Sequence, residues 1–81
     1  MYLHIGKDLI IKNHDIIGIF NIDYIKNTKE YKSMYKDLEE KGDILNISDE
    51  LNKSFILLEN EKKIKGYITK IGVNTIAKRL I

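Results

Sequence analysis

Apolar and polar residues along the first part of the chain form short isoleucine-rich runs separated by turn-like segments. Turns are predicted at Gly6–Asp8 and Asn13–Asp15, and a third run follows at Ile16–Asn21. Short runs rich in isoleucine and aromatic residues between such turns are typical of strands. Because the runs are nearly continuous in apolar residues, we expect three strands that are covered on both faces.

A helical pattern follows the third run. Asn27 or Thr28 can cap the start of a helix and Gly42 can end it, which predicts an amphipathic helix from about Thr28 to Lys41. Its apolar positions recur three and four residues apart, at Tyr31, Met34, Tyr35 and Leu38. Such a stripe is more often core than interface, but tyrosine and methionine are also favoured where proteins meet. Tyr31 and Tyr35 are therefore candidates for an oligomer interface as well as for the core.

The second half of the chain predicts a hairpin and a short final helix. Ile44–Ile47 fits a short strand, and "SFILLE" and "KIKGYIT" fit two strands that pair across Asn60–Lys63. Behind a possible cap at Asn74, helical spacing relates Val73, Ile76, Ala77 and Leu80. We expect these four to bury against the sheet or a neighbouring subunit, with Leu80 a candidate interface residue. The order predicts a single α+β domain over residues 1–81, with one small and mostly antiparallel sheet.

The chain is short and its charge is uneven. It has 81 residues, no cysteine and a net charge of +2. Residues 1–52 hold seven lysines against ten acids, whereas residues 53–81 hold seven basic residues against two acids. Small domains without disulfides often depend on oligomerisation. Because the acidic stretch Asp37–Glu50 complements the basic final third, we expect a homo-oligomer larger than a dimer, closed head to tail into a ring.

Several classes of function find no support in the sequence. Lys7, Asp8 and Lys12 interrupt the opening segment, so we expect no export signal and no membrane span, and a cytoplasmic location. Glycines never cluster into a phosphate loop. His14 and Asp15 are neighbours, but neighbours on a strand point to opposite faces, so we expect no catalytic pair there. We expect no enzyme, metal, cofactor or small-molecule ligand.

Basic residues concentrate around the predicted hairpin. Lysines at a hairpin can contact nucleic-acid phosphates as point charges, or they can simply keep an exposed strand edge soluble. Residue chemistry alone leaves these two interpretations evenly balanced. The candidate phosphate-binding residues are Lys53, Lys62, Lys63, Lys65 and Arg79.

Two segments of the chain resemble a known family. The opening contains His4-Ile5-Gly6 and Ile16-Ile17-Gly18-Ile19, and "NTIAKRL" near the end supplies Thr75, Ala77, Arg79 and Leu80. Together with the order of helix and hairpin, these motifs resemble the RemA/RemB family of small extracellular matrix regulatory proteins of Firmicutes. The resemblance covers the whole chain.

The resemblance implies a regulator of biofilm-matrix genes that binds double-stranded DNA. It also implies a fold similar to the LytTR DNA-binding domain and assembly into homo-oligomeric rings. RemA-type members carry arginines at two places where this chain has Asp15 and Leu51-Asn52, and only Lys53 is basic nearby. Since a guanidinium is not replaced by a carboxylate or an amide, the alternative is a protein-interaction module of the same fold that does not bind DNA directly.

Overall fold

The computed structural model describes residues 2–6, 9–47 and 52–80 as six strands and three α-helices. A 3-10 turn at Asn13–Asp15 links the second and third strands. The elements in chain order are β1 Tyr2–Gly6, β2 Leu9–Lys12, β3 Ile16–Asn21, α1 Ile22–Ile25, α2 Lys29–Glu40, β4 Ile44–Asn46, β5 Ser54–Asn60, β6 Lys63–Thr69 and α3 Val73–Arg79. The chain is α+β, as the sequence predicted.

The strands form two sheets where the sequence predicted one. β1 and β2 pair with each other as an antiparallel hairpin, and the other four strands form a sheet in the order β3-β5-β6-β4. Neighbours in the larger sheet are antiparallel except β4 and β6, which are parallel. The separate hairpin buries Leu3, Ile5 and Ile11 on one face only, so the prediction that the first strands are covered on both faces is wrong.

β5 has side chains buried on both faces of the sheet. Phe55 and Leu57 face α2, whereas Ile56 and Leu58 face the β1–β2 hairpin and α3. Alternation along a strand sends successive side chains to opposite faces, so one apolar strand supplies two cores. The molecule therefore has three layers, with the four-stranded sheet between α2 on one side and the hairpin with α3 on the other.

The central helix α2 begins and ends where the sequence predicted. Thr28 is its N-cap, and the Thr28 Oγ1 accepts a hydrogen bond of 3.2 Å from the Tyr31 backbone N–H. At the other end Gly42 has a φ of +74°, the left-handed conformation that glycine adopts most readily. Leu38 is buried and the other three residues of the stripe are half-buried against the sheet. The amphipathic pattern thus packs the apolar side of α2 against the face of the sheet that carries the Phe55 side chain.

Two local features were not predicted correctly. The short helix α1 follows β3 directly and is capped by Asn21, whose Oδ1 accepts a hydrogen bond of 2.9 Å from the Asp23 backbone N–H. The cap of α3 is Gly72, so Asn74 lies inside the helix and is not its cap. Ala77 of α3 is exposed on this chain, whereas Ile76 is fully buried.

Three polar contacts connect the N-terminal hairpin, the four-stranded sheet and the segment after β6. The Thr69 hydroxyl donates to the Ile5 carbonyl at 2.7 Å, and the Ser54 hydroxyl donates to the Ile71 carbonyl at 2.6 Å. The Arg79 guanidinium in α3 donates to the His4 carbonyl at 2.8 Å. A buried carbonyl without a donor costs free energy, so the Thr69 hydroxyl stabilises the packing of the hairpin by satisfying the carbonyl of the buried Ile5.

Candidate nucleic-acid interface

The turn between β5 and β6 presents lysines at one end of the sheet. Glu61 and Lys62 occupy the turn with φ values of +51° and +66°. Two positive φ values define the type I′ turn, whose twist matches that of the paired strands. Lys62, Lys63 and Lys65 are all exposed around this turn. The predicted hairpin therefore forms and projects three of the five candidate cations together.

A groove beside this turn brings in a fourth lysine. It has a volume of about 370 Å³ and lies between β6 and the β1–β2 hairpin. Lys12, at the end of β2, lines it together with Lys63, Lys65 and Tyr67. Sequence reasoning did not single out Lys12, because the contact between the two hairpins joins residues that are about fifty positions apart. Lys62 lies on the adjoining turn and does not line the groove itself. We call the three lining lysines, Lys12, Lys63 and Lys65, together with Lys62 on the turn, the lysine groove.

Two of the acids near the lysine groove have polar partners of their own. Asp43, whose side chain is only 8% exposed, lies 3.2 Å from the Lys63 Nζ. Asp15 accepts a hydrogen bond of 2.9 Å from the Asn60 amide. Within the described part of the chain, Lys12, Lys62 and Lys65 form no ion pair. These three ammonium groups are therefore available to an anion from solution, whereas Lys63 would first have to leave Asp43.

The other two candidate cations lie elsewhere. Lys53 precedes β5, and its backbone N–H donates to the Thr69 carbonyl at 2.9 Å. The length of β5, roughly 20 Å, separates Lys53 from the turn that carries Lys62. Arg79 lies on α3, where its guanidinium bonds the His4 carbonyl. The structure thus groups Lys62, Lys63 and Lys65 but does not bring Lys53 or Arg79 to them.

The candidate interface residues pack within their own chain. The Tyr31 ring meets Phe55 edge-on at a centroid distance of 5.3 Å, and it lies 5.8 Å from the Tyr35 ring. Leu80 is half-buried against the apolar cluster between the β1–β2 hairpin and the four-stranded sheet, which we call the hairpin-side core. Burial, followed by the neighbouring Tyr35, raises the pKa of the Tyr31 hydroxyl above its usual value. These side chains therefore already contribute to the folding of one subunit.

The raised pKa of Tyr31 predicts a loss of stability in alkali. An acid whose folded pKa exceeds its unfolded value keeps its full contribution below the unfolded pKa, about 10 for tyrosine, and loses it as the pH rises through the folded pKa. Urea unfolding measured between pH 8 and pH 11 should show this fall, and Tyr31→Phe should make it shallower. Tyr24→Phe is the matched control, since Tyr24 is 83% exposed. Equal pH profiles for Tyr31→Phe and Tyr24→Phe would contradict the assignment.

The surroundings of the two histidines bear on metal binding. In the described ranges, no group of three or more His, Cys, Asp or Glu side chains could hold a metal ion. His14 Nε2 lies 3.2 Å from Asp15 Oδ1, because the pair sits on the 3-10 turn where neighbours are not sent to opposite faces. The expectation that the two side chains point apart is therefore wrong. His14 itself is exposed.

A family model described as RemA-like, extracellular matrix regulatory protein A-like, matches residues 2–80. No match was found among curated proteins. In the parts of the chain that the structure describes, no helix is long and apolar enough to cross a membrane.

Proposed function

Because the chain belongs to the RemA-like family of extracellular matrix regulatory proteins, we propose that it is a small transcription regulator that forms rings and contacts DNA phosphates through lysines. In this proposal it acts in the cytoplasm on genes of the biofilm matrix. It acts without catalysis or cofactor, and its fold is LytTR-like. Regulation of the matrix follows the family description, whereas DNA binding and ring formation rest on the arguments below.

The observation that carries the proposal is the lysine groove. Lys12, Lys62 and Lys65 come from two separate hairpins, are exposed, and form no ion pair within the described residues. Lysine ammonium groups contact phosphates as point charges, and such contacts position a protein on DNA without reading its sequence. The chain contains a single arginine, so the side chain that most often reads guanine is nearly missing. Binding should therefore be electrostatic and weakly selective.

Ring formation makes a weak site effective. One groove offers few phosphate contacts, and a single subunit would bind feebly. Copies of the groove in one assembly act together, because each contact after the first is intramolecular and benefits from a high effective concentration. A ring of identical subunits thus converts several weak contacts into useful avidity.

Salt dependence tests the DNA proposal. Fluorescence anisotropy with a labelled promoter duplex should give an affinity that falls linearly with salt on a log–log plot, with a slope near −0.9 per neutralised phosphate. Lys62→Ala with Lys65→Ala should flatten this slope by roughly two such units per subunit engaged. Lys53→Ala with Lys70→Ala removes the same charge from the opposite end of β5 and should change the slope less.

Two results would reject the proposal. If the parent protein does not bind the duplex at low salt, DNA is not its partner. If the Lys53/Lys70 pair flattens the slope as much as the Lys62/Lys65 pair, the contacts reflect net charge and not the lysine groove. Mass measured in parallel shows whether a variant has also lost its assembly.

The same groove supports a second candidate, the protein-interaction module. Asp15 and Glu61 line the groove beside the lysines, and Asp15 stands where RemA-type members carry arginine. A groove lined by both basic and acidic residues complements a protein surface that carries both signs of charge. It complements the uniformly negative phosphate backbone of DNA less well. Absence of DNA binding at low salt, with an intact fold, favours this candidate.

A further inference from the structure

β3 is an open edge of the four-stranded sheet. Among the described strands it pairs only with β5, and the Ile22 N–H donates to the Lys53 carbonyl at 3.0 Å just beyond its end. Backbone groups of an antiparallel strand alternate between its two sides. The N–H and C=O groups of Ile19 and Asn21 therefore point away from β5. Such a row of backbone groups suits another strand as its partner.

This edge lacks the charged residues and proline that commonly protect a strand edge against pairing. Exposed edges commonly carry charged residues or proline, yet Ile16–Asn21 contains neither. Ile17 is 54% exposed, and the Phe20 ring lies along Gly18, where an added Cβ would be 2.7 Å from a ring carbon. A bulge between Ile16 and Gly18 is the one interruption of its register with β5. The edge is both apolar and able to form hydrogen bonds.

The opposite edge, β4, runs in the same direction as β3. β3 is antiparallel to β5, β5 is antiparallel to β6, and β6 is parallel to β4. A symmetry operator that moves one subunit sideways without inverting its strands would therefore place β4 of the next copy parallel to β3. Leu45 of β4 is 45% exposed and offers apolar surface at this second edge.

Charge distinguishes the two edges. α3 contacts β3 and carries Lys78 and Arg79 in its last turn, while Lys26 of α1 is paired with Asp23 at 3.4 Å. The chain enters β4 from the end of α2, where acids outnumber lysines. The charged residues there are Lys36, Asp37, Glu39, Glu40, Lys41 and Asp43. The end of α2 and α3 lie on opposite faces of the sheet, so the charge argument is one of avoided repulsion. A two-fold contact of β3 with β3 would bring two copies of the basic end of α3 together, whereas a contact of β3 with β4 does not.

We propose that β3 of one copy pairs in parallel with β4 of a second copy, so that the sheet continues from subunit to subunit. The inference rests on the homo-oligomer of the proposed function and names its interface. Contacts between unlike edges are head to tail, and they close into a ring when the rotation per subunit allows it. Because the operator preserves strand direction, all β5–β6 turns and their lysines project from one rim.

Two single variants and their mixture test this interface. Ile17→Lys and Leu45→Lys should each reduce the mass in light scattering after size exclusion, to that of one 9.5 kDa chain. Each variant retains one intact edge, so an equimolar mixture should form heterodimers of twice that mass. Ile10→Lys on the β1–β2 hairpin is the matched control, since Ile10 is 57% exposed. It should leave the parent mass unchanged.

Each alternative outcome is distinct. If Ile17→Lys breaks the assembly and Leu45→Lys does not, β3 pairs with β3 and the proposed partner strand is wrong. If neither changes the mass of an oligomeric parent, the edges are not the interface, and the oligomer itself still stands. A monomeric parent at tens of micromolar rejects the oligomer, while DNA binding is judged separately from anisotropy. Thermal melts of the variants show that any loss of mass is not unfolding.

Discussion

Replacing Phe55 with alanine should lower the free energy of unfolding by about 3–5 kcal/mol, the cost of truncating a buried aromatic side chain. Phe55 is fully buried near the start of β5, and its ring meets Tyr31 of α2 edge-on. The ring also occupies the space above Gly66, where an added Cβ would lie 2.7 Å from it. The cavity left by alanine would therefore separate α2 from the sheet.

A loss of this size approaches the whole stability of a small domain, about 5–15 kcal/mol. Urea unfolding followed by circular dichroism measures it, and Tyr24→Ala is the control because it removes an aromatic ring that is 83% exposed. Tyr24→Ala should change the free energy by no more than about 0.5 kcal/mol. Similar midpoints for the two variants would show that Phe55 does not hold α2 on the sheet.

The second large effect belongs to α3. Ile76 is fully buried against the hairpin-side core, so Ile76→Ala should cost about 2–5 kcal/mol. Leu80 in the same helix is only half-buried, and Leu80→Ala should cost less because part of its surface already meets water. The sequence pattern treated these two residues alike, and the structure ranks them.

The same unfolding experiment separates the two variants. A Leu80→Ala variant as unstable as Ile76→Ala would indicate that Leu80 is covered by something other than its own chain, such as the neighbouring subunit expected from the sequence. Repeating the measurement at several protein concentrations decides this, since stability that depends on assembly also depends on concentration. If Ile76→Ala unfolds like the parent, α3 is not anchored as described.

The sequence correctly predicted the elements whose limits are marked by local residues, such as a helix cap or a turn. α2 was predictable because Thr28, the apolar stripe and Gly42 all agree on its limits. The β5–β6 hairpin was predictable from two strand-like runs on either side of a short polar turn. α1 was missed because four residues are too few for a helical period to show.

Long-range packing accounts for what the sequence did not predict. Strand patterns cannot reveal which strands pair, so the separation of the β1–β2 hairpin from the main sheet was not visible. The same limit applies to the candidate site. Lysines near one another in sequence proved to be close in space, but Lys12 joined them and Lys53 did not.

The hydrogen bonds that hold the β1–β2 hairpin have a consequence for synthesis of the chain on the ribosome. The hairpin emerges early, whereas its partners Thr69 and Arg79 are added 64 and 75 residues after the residues they bond, and Ile76 comes between them. At roughly 5–20 residues per second, the apolar face of the hairpin stays uncovered for about 3–15 seconds. During that interval Leu3 and Ile5 are open to chaperones and to other nascent chains, so the growing polypeptide is most prone to aggregate before α3 has left the exit tunnel.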